Sequence, residues 1–283
     1  MKKINLIFIL VALTLSAHAW LPADSIIITR MLNQAPAKAT PLYFARCLKG
    51  KPYVAHTLEV NDTERLVVNV RELDCTTLVE NAVAMTLCVQ NKQRTFANFR
   101  YWLTQLRYRQ GQLDDYPSRL HYFTDWINDN VAMGLVCEVV NDGVPFLGVQ
   151  TVSVNYMSEH PQQYKALKNH PEFVPVIAKQ ERRLTGQQHR FIPKNIIRSK
   201  AVNRQLVRDG DILAITCTKK GLDIAHVGVA VWKEDGLHLL HASSQQKEVI
   251  EDPLPLSTYL ARHSSFTGIR VIRVRSSIDR AGE

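Results

Sequence analysis

After the first nineteen residues the chain has no stretch that approaches eighteen uninterrupted apolar positions, which excludes a membrane-spanning helix from that part of it. Cysteine is scarce: Cys47, Cys75, Cys88, Cys137 and Cys217 are too few and too scattered for a disulfide scaffold, although in an oxidising compartment any pair that meets could join. Their odd number leaves at least one thiol unpaired within the chain. An H-E-x-x-H motif is missing, as is any comparable cluster, so the three converging ligands of a zinc hydrolase have no source and neither metal nor cofactor is expected. His238 and His241 in HLLH face opposite sides of a strand and do not supply such a pair. Internal repeats and low-complexity tracts are absent too.

What the sequence does contain begins with MKKINLIFILVALTLSAHA, two lysines, an apolar run from Ile4 to Leu15 and the small-x-small triplet Ala17-His18-Ala19. This is the pattern of a cleavable signal peptide over residues 1–19, so a periplasmic or secreted protein starting near Trp20 is expected. No cysteine follows the cleavage point, which argues against a lipid anchor there. Without Lys2 and Lys3 the remainder carries 33 basic against 26 acidic residues. That excess favours an anionic partner such as cell-wall polymer, or simply aids solubility; export argues against nucleic acid.

Two short helices separated by Pro36 to Pro41 open the mature chain. The run from Thr57 to Val70 reads as strands with a turn at Asn61-Asp62-Thr63. After Cys75, the residues Leu78, Val79, Ala82, Met85 and Val89 recur at helical spacing with Asp74 as N-cap, and a second helix follows on Phe96, Phe99, Trp102, Leu103 and Leu106. From Asp209 the character changes to short strands: DGDILAITC, HVGVAVW, LHLLHAS and KEVI, then a helical PLSTYLARH, then IRVIRV. A helix-rich half before a mostly antiparallel sheet is an α+β arrangement. In HVGVAVW, small residues share the histidine's face, which would let a helix lie close on that side.

RELDCTTLVE puts Cys75 in the first turn of its helix. Such a thiol can be a buried structural residue, or a nucleophile that feels the helix dipole and unpaired N–H groups. Asp74 opposes thiolate, so the second reading needs an imidazole. His226 and His241 stand in downstream strands. A two-residue Asp235-Gly236 turn would pair Ala230 with His241 and leave the histidines about 13 Å apart. A four-residue loop from Lys233 to Gly236 pairs Gly228 with His241 instead, making the two rings diagonal neighbours at about 7–8 Å between backbones. The second register makes His226 the base and His241 the residue that orients it.

LDCTTLVE, DGDILAI, AHVGVAV and LLHASS, in that order, resemble the segments of NlpC-type cell-wall hydrolases with a papain-like core. GKPYV, FRYWLTQLRYRQG and YPSRLHYFTDWI make the chain more similar still to the N-acetylmuramoyl-L-alanine amidase-like family, over about residues 42–274. The resemblance implies Cys75 as nucleophile, His226 as base, His241 as third member and the Tyr53 hydroxyl at the oxyanion site, although 22 residues separate Tyr53 from Cys75, more than NlpC-type enzymes show. It implies a single domain over 20–283 with a family-specific, helix-rich insertion at about 91–204. The activity it implies is hydrolysis, through a thioester, of the bond between N-acetylmuramic acid and L-alanine in peptidoglycan fragments, anhydro-muropeptides among them. A stem-peptide endopeptidase cutting between D-glutamate and the diamino acid, or a cell-wall binding protein with a dead site, stays open. Arg119, His121, Tyr122 and Trp126 fall in the insertion; an arginine beside aromatics suits a carboxylate-bearing peptide and a sugar ring, while Leu120, Phe123 and Ile127 allow a plain core stripe.

Overall fold

The computed structural model describes residues 20–275; the expected leader at 1–19 lies outside the described residues. At the centre is a helix, α3, and its start is written in the sequence. The Asp74 carboxylate accepts the Thr77 N–H at 2.7 Å while the Thr77 hydroxyl accepts the Asp74 N–H at 2.9 Å, a reciprocal cap that begins the helix at Cys75. Every residue from Thr77 to Val89 is buried. A helix buried on all sides needs cover on all sides. Helices α1 (Pro22–Gln34) and α2 (Pro41–Cys47) precede α3 (Cys75–Gln90), and α4 (Phe96–Arg107) follows it. Ile28, Leu32, Phe44, Phe99 and Leu103 from these helices join Leu78, Ala82 and Met85 in one buried cluster, which the sheet closes from the other side.

Next come α5 (Phe123–Ala132), β1 (Val136–Val139), β2 (Gly148–Thr151), α6 (Tyr156–Glu159), α7 (Lys165–Asn169), α8 (Val174–Leu184) and β3 (Gln188–Pro193). The C-terminal part is β4 (Ile212–Cys217), β5 (Ile224–Lys233), β6 (Gly236–Ser243), β7 (Glu248–Glu251), α9 (Leu256–Ala261) and β8 (Phe266–Val274). The strands form an antiparallel sheet of order β2-β3-β8-β4-β5-β6-β7, with β1 also on β8. The α+β architecture read from the sequence is thus the one observed. Residues 91–204 are helix-rich, as expected, but they also weave into the sheet. Ile192 pairs with Ile269 and Val136 with Val274, so β3 and β1 take successive halves of one edge of β8. Gly268 permits the approach of β3, because a Cβ there would fall on the Ile192 carbonyl oxygen.

The run to Val70 departs from expectation: residues 57–70 contain no strand. Leu66, Val68 and Val70 are in the core, yet their segment has side chains as backbone partners instead of a ladder. Arg107 Nη1 donates to the Val67 carbonyl, the Tyr108 hydroxyl to that of Arg65, and Asn81 to that of Asn69, while Asp24 accepts the Val70 N–H. Satisfied this way, a β-branched run stays extended and buried without pairing. Residues 119–122 likewise are not helical; α5 starts at Phe123, and Arg119 bridges Tyr108.

The β5–β6 hairpin has the predicted register and a different turn. Val229 pairs with Leu240, which sets Gly228 level with His241, but Lys233 still pairs with Gly236, so the loop is the two residues Glu234-Asp235. Gly236, with φ of 136°, absorbs the turn. Helix α3 packs on the valine face, Val227, Val229 and Val231, not on the histidine's face. The other face, with Ala230, is covered by Leu256 and Leu260 of α9, and the space at Gly228 is taken by the Leu239 side chain.

Candidate active site

Cys75 opens α3 half-buried at the edge of the core cluster. Burial, then the neighbouring Asp74 carboxylate, pushes its thiol up to about 11; hydrogen bonds from the Val227 and Thr76 backbones and from the Thr76 hydroxyl pull the other way without winning. The free site therefore holds a protonated thiol, and the helix dipole does not by itself make a thiolate.

Tyr53 reaches this point by backbone pairing. It bridges Leu73 in parallel, the Leu73 N–H donates to the Pro52 carbonyl and the Val54 N–H to that of Leu73, both at 3.0 Å. A separation of 22 residues in sequence thus closes in space. Burial, then the proximity of Cys75 and Asp74, raises the phenol's pKa.

Pairing between β5 and β6 stops at Val229 and Leu240, and beyond it two side chains meet instead: His226 Nε2 lies 2.6 Å from His241 Nδ1, with the rings nearly perpendicular. Burial, then the charges of His241 and His263, pushes His226 down to about 3, which keeps its ring neutral. On the far side of His241, Nε2 is 3.4 Å from Asp252 Oδ2, long for a hydrogen bond but facing a carboxylate. Asp252 is buried, and burial alone would raise its pKa; contact with His241 and the Leu254 N–H outweigh that and hold it below the ordinary value. The Tyr259 ring stands edge-on to His241 at 5.4 Å, its hydroxyl pushed up to about 12 by burial and then by Asp252 and Cys75. Neither Asp252 nor Tyr259 was singled out from the sequence. Asp252 carried a signal, an acidic residue just past KEVI, but its meeting with His241 depends on the β6–β7 register that pairs Leu240 with Glu251.

Cys75 and His226 line one cavity of about 420 Å³. Residues between 116 and 123 and between 157 and 165 also line it, among them Tyr116, His121, Tyr122 and Tyr164. Of the four residues expected to bind substrate, His121 and Tyr122 line this cavity and Arg119 and Trp126 do not. His121 Nε2 contacts the Tyr116 carbonyl at 2.9 Å, and burial, then Arg119, pushes its pKa down to about 3. The Tyr122 hydroxyl donates to Glu181 at 2.6 Å. Arg119 corrects the sequence expectation: its guanidinium donates to Glu59 at 2.7 Å and to Glu64 at 2.8 Å and lies over the Tyr116 ring. Burial opposes that charge, Glu64 and Glu59 outweigh the effect, and the group is committed inside the protein. Trp126 is a second correction, a core residue 1% exposed and stacked on Phe123. Because 119–122 is extended, Arg119 and Trp126 do not share the helical face that their spacing suggested.

The family described as N-acetylmuramoyl-L-alanine amidase-like matches the chain over residues 43–269. No curated protein matches it. Among solved structures, an N-acetylmuramoyl-L-alanine amidase from Bacteroides uniformis is 41% identical with a TM-score of 0.78, over 84% of this chain and 99% of that one. A Bacteroides fragilis protein whose name proposes a xylanase is 43% identical with a TM-score of 0.77, over 82% of this chain and 100% of that one. A Legionella pneumophila protein, 21% identical over 89% of this chain and 94% of its own, shares the fold with a TM-score of 0.66.

Proposed function

Since the chain belongs to the N-acetylmuramoyl-L-alanine amidase-like family, we propose that it is a cysteine amidase that cuts the bond between N-acetylmuramic acid and L-alanine in peptidoglycan fragments. One observation carries the reading: the contact of His226 with His241, backed by Asp252, beside a cavity that opens on Cys75. A cysteine at the start of a central helix, packed on an antiparallel sheet whose strands carry the histidines, is also the plan of a papain-like core of NlpC type.

The tautomers follow from the carboxylate. Asp252 takes the proton side of His241 Nε2, so His241 Nδ1 is an acceptor; His226 Nε2–H donates to it, and His226 Nδ1 is left with a lone pair for the thiol. In the first half-reaction Nδ1 removes the Cys75 proton as sulfur attacks the lactyl carbonyl, and the His226 imidazolium then gives that proton to the departing amine of L-alanine. In the second, His226 takes a proton from water, the hydroxide attacks the thioester, and the thiol leaves with its proton restored. His241 and Asp252 stabilise the imidazolium, a role that matters because burial makes His226 reluctant to charge. The Tyr53 hydroxyl and N–H groups in the first turn of α3 are the donors for the oxyanion.

A glycosidase, the reading that the Bacteroides fragilis name would suggest, needs two free carboxylates facing each other across the cleft. The two carboxylates lining this cavity are engaged elsewhere: Glu59 receives Arg119, and Asp223 accepts the Thr124 N–H. No such objection meets the stem-peptide endopeptidase, which would use the same triad, or an inactive binding protein. Substrates of cell-wall origin go with action outside the cytoplasm, as the leader-like residues 1–19 also suggest.

Mass spectrometry of the products from a defined anhydro-muropeptide tests the reading. The 1,6-anhydro form of N-acetylmuramic acid and a peptide beginning with L-alanine are the expected pair. Cleavage between D-glutamate and the diamino acid, or no cleavage, would overturn it.

A further inference from the structure

The segment between β1 and β2 carries an apolar surface that lies outside the Cys75 cavity. Val140, Val144, Leu147 and Val149 are 48, 60, 54 and 52% exposed, and elsewhere among the described residues no ten-residue stretch exposes more than two large apolar side chains. A single exposed aliphatic needs no explanation, but four together mark a contact surface. The segment is held in place. Phe146 is buried in the core cluster that also contains Ile192, Ile197 and Val202, and Asp142, the one acidic residue of 140–149, meets Arg190 at 3.3 Å. β2 ends the sheet on this side, and its Val149 stands opposite Arg190 of β3.

The chain that continues from β3 supplies the complementary chemistry. Residues 188–208 include Arg190, Lys194, Arg198, Lys200, Arg204 and Arg208 and no aspartate or glutamate. Because β3 runs antiparallel to β2, with Phe191 level with Gly148, its end at Pro193 lies where the apolar segment enters β2. Turns closed by the Ile196 N–H on the Pro193 carbonyl, the Ser199 N–H on that of Ile196 and the Val202 N–H on that of Ser199 hold the basic stretch at this corner. Arg190 and Arg204 have carboxylate partners in Asp142 and Asp209, whereas Lys194, Arg198 and Lys200 have none among the described residues. Unpaired cations beside aliphatic side chains complement a surface that is anionic at its face and apolar beneath, which is a bilayer containing anionic phospholipid. A protein partner fits less well, since the core of such an interface is poor in lysine and rich in aromatics and methionine, none of which residues 140–149 expose.

We propose that residues 140–149 and 194–200 form a peripheral binding site for an anionic phospholipid bilayer. The exposed valines and Leu147 enter the headgroup layer, and Lys194, Arg198 and Lys200 meet lipid phosphates. Sedimentation with sucrose-loaded vesicles tests this on the chain from Trp20, the form that export would leave, because the apolar run of residues 1–19 would itself enter lipid. Vesicles with about 30% phosphatidylglycerol in phosphatidylcholine should bind it at least about tenfold more tightly than phosphatidylcholine alone, and the gap should close as salt rises to about 0.5 M. Lys194→Gln/Arg198→Gln/Lys200→Gln should lose that preference. Val144→Ser/Leu147→Ser should weaken binding to the mixed vesicles about fivefold or more, with an unchanged far-UV spectrum. Equal sedimentation with both kinds of vesicle at low salt, or none with either, would overturn the assignment whatever the variants do. So would wild-type affinity in Val144→Ser/Leu147→Ser, the mark of a surface for soluble anionic polymer, or a concentration-dependent dimer that this variant abolishes, the mark of a contact between copies.

Discussion

His226 Nε2 and His241 Nδ1 stand 2.6 Å apart with ring planes 84° to each other, so one ring donates and the other accepts. The Asp252 carboxylate beyond His241 decides the direction. His241→Ala should lower kcat roughly ten- to hundredfold with KM nearly unchanged, because it removes support for an imidazolium that exists only along the reaction path. Asp252→Asn should act the same way and more weakly, and the double variant should be little worse than His241→Ala alone. Steady-state kinetics check both; additive losses would separate Asp252 from the relay.

The pH dependence follows from the two shifted groups. His226 is pushed down to about 3 and Cys75 up to about 11, so between those limits the resting pair is neutral imidazole and thiol. The acid limb of kcat/KM should fall well below the ordinary imidazole value of about 6.5. Iodoacetamide should alkylate Cys75 with a rate still rising past pH 9. Rapid alkylation at pH 5 would reveal a preformed thiolate–imidazolium pair and contradict this.

Tyr53→Phe removes one proposed oxyanion donor and leaves the Tyr53–Leu73 backbone bridge in place. A fall in kcat of about tenfold or more, with an unchanged far-UV spectrum, is expected. Unaltered kinetics would confine Tyr53 to packing.

Stability has a separate anchor in the sheet. Arg270 is fully buried and donates to Glu138 at 2.6 and 3.0 Å, and also to Thr124, tying β8 to β1 and α5. Glu138→Gln strands that charge and should cost about 3–5 kcal/mol in urea unfolding. Burial would raise the Glu138 pKa, but His189 and Arg270 outweigh it and bring it to about 2. A depressed carboxylate contributes fully above its unfolded value of about 4.3, and that contribution disappears as pH falls through about 2. Acid unfolding of the wild type should show this loss and Glu138→Gln should lack it.

How far the molecule was legible varied with the range of the interaction. The start of α3 was readable because its cap lies within four residues, Asp74 to Thr77. The histidine contact was readable because a hairpin converts a register into a distance, and the register held even though the turn proved to be Glu234-Asp235. Val67 and Val68 carried a strand pattern, yet Arg107, 40 residues from Val67, took the backbone acceptor that a ladder would have used. Arg119 looked free for the same reason that Asp252 was missed: the partners, Glu59 and Glu64 in one case and His241 in the other, come from elements whose mutual placement no local spacing records.

The most direct measurement is the mass of the full-length enzyme, acid-quenched during turnover of a defined N-acetylmuramoyl-L-alanyl peptide, with the Cys75→Ala chain run in parallel. The account predicts a muramoyl adduct on the fragment that contains Cys75, turnover unaffected by a chelator, and neither adduct nor product from Cys75→Ala. Product formed by Cys75→Ala at the wild-type rate, with no adduct in either protein, would contradict it.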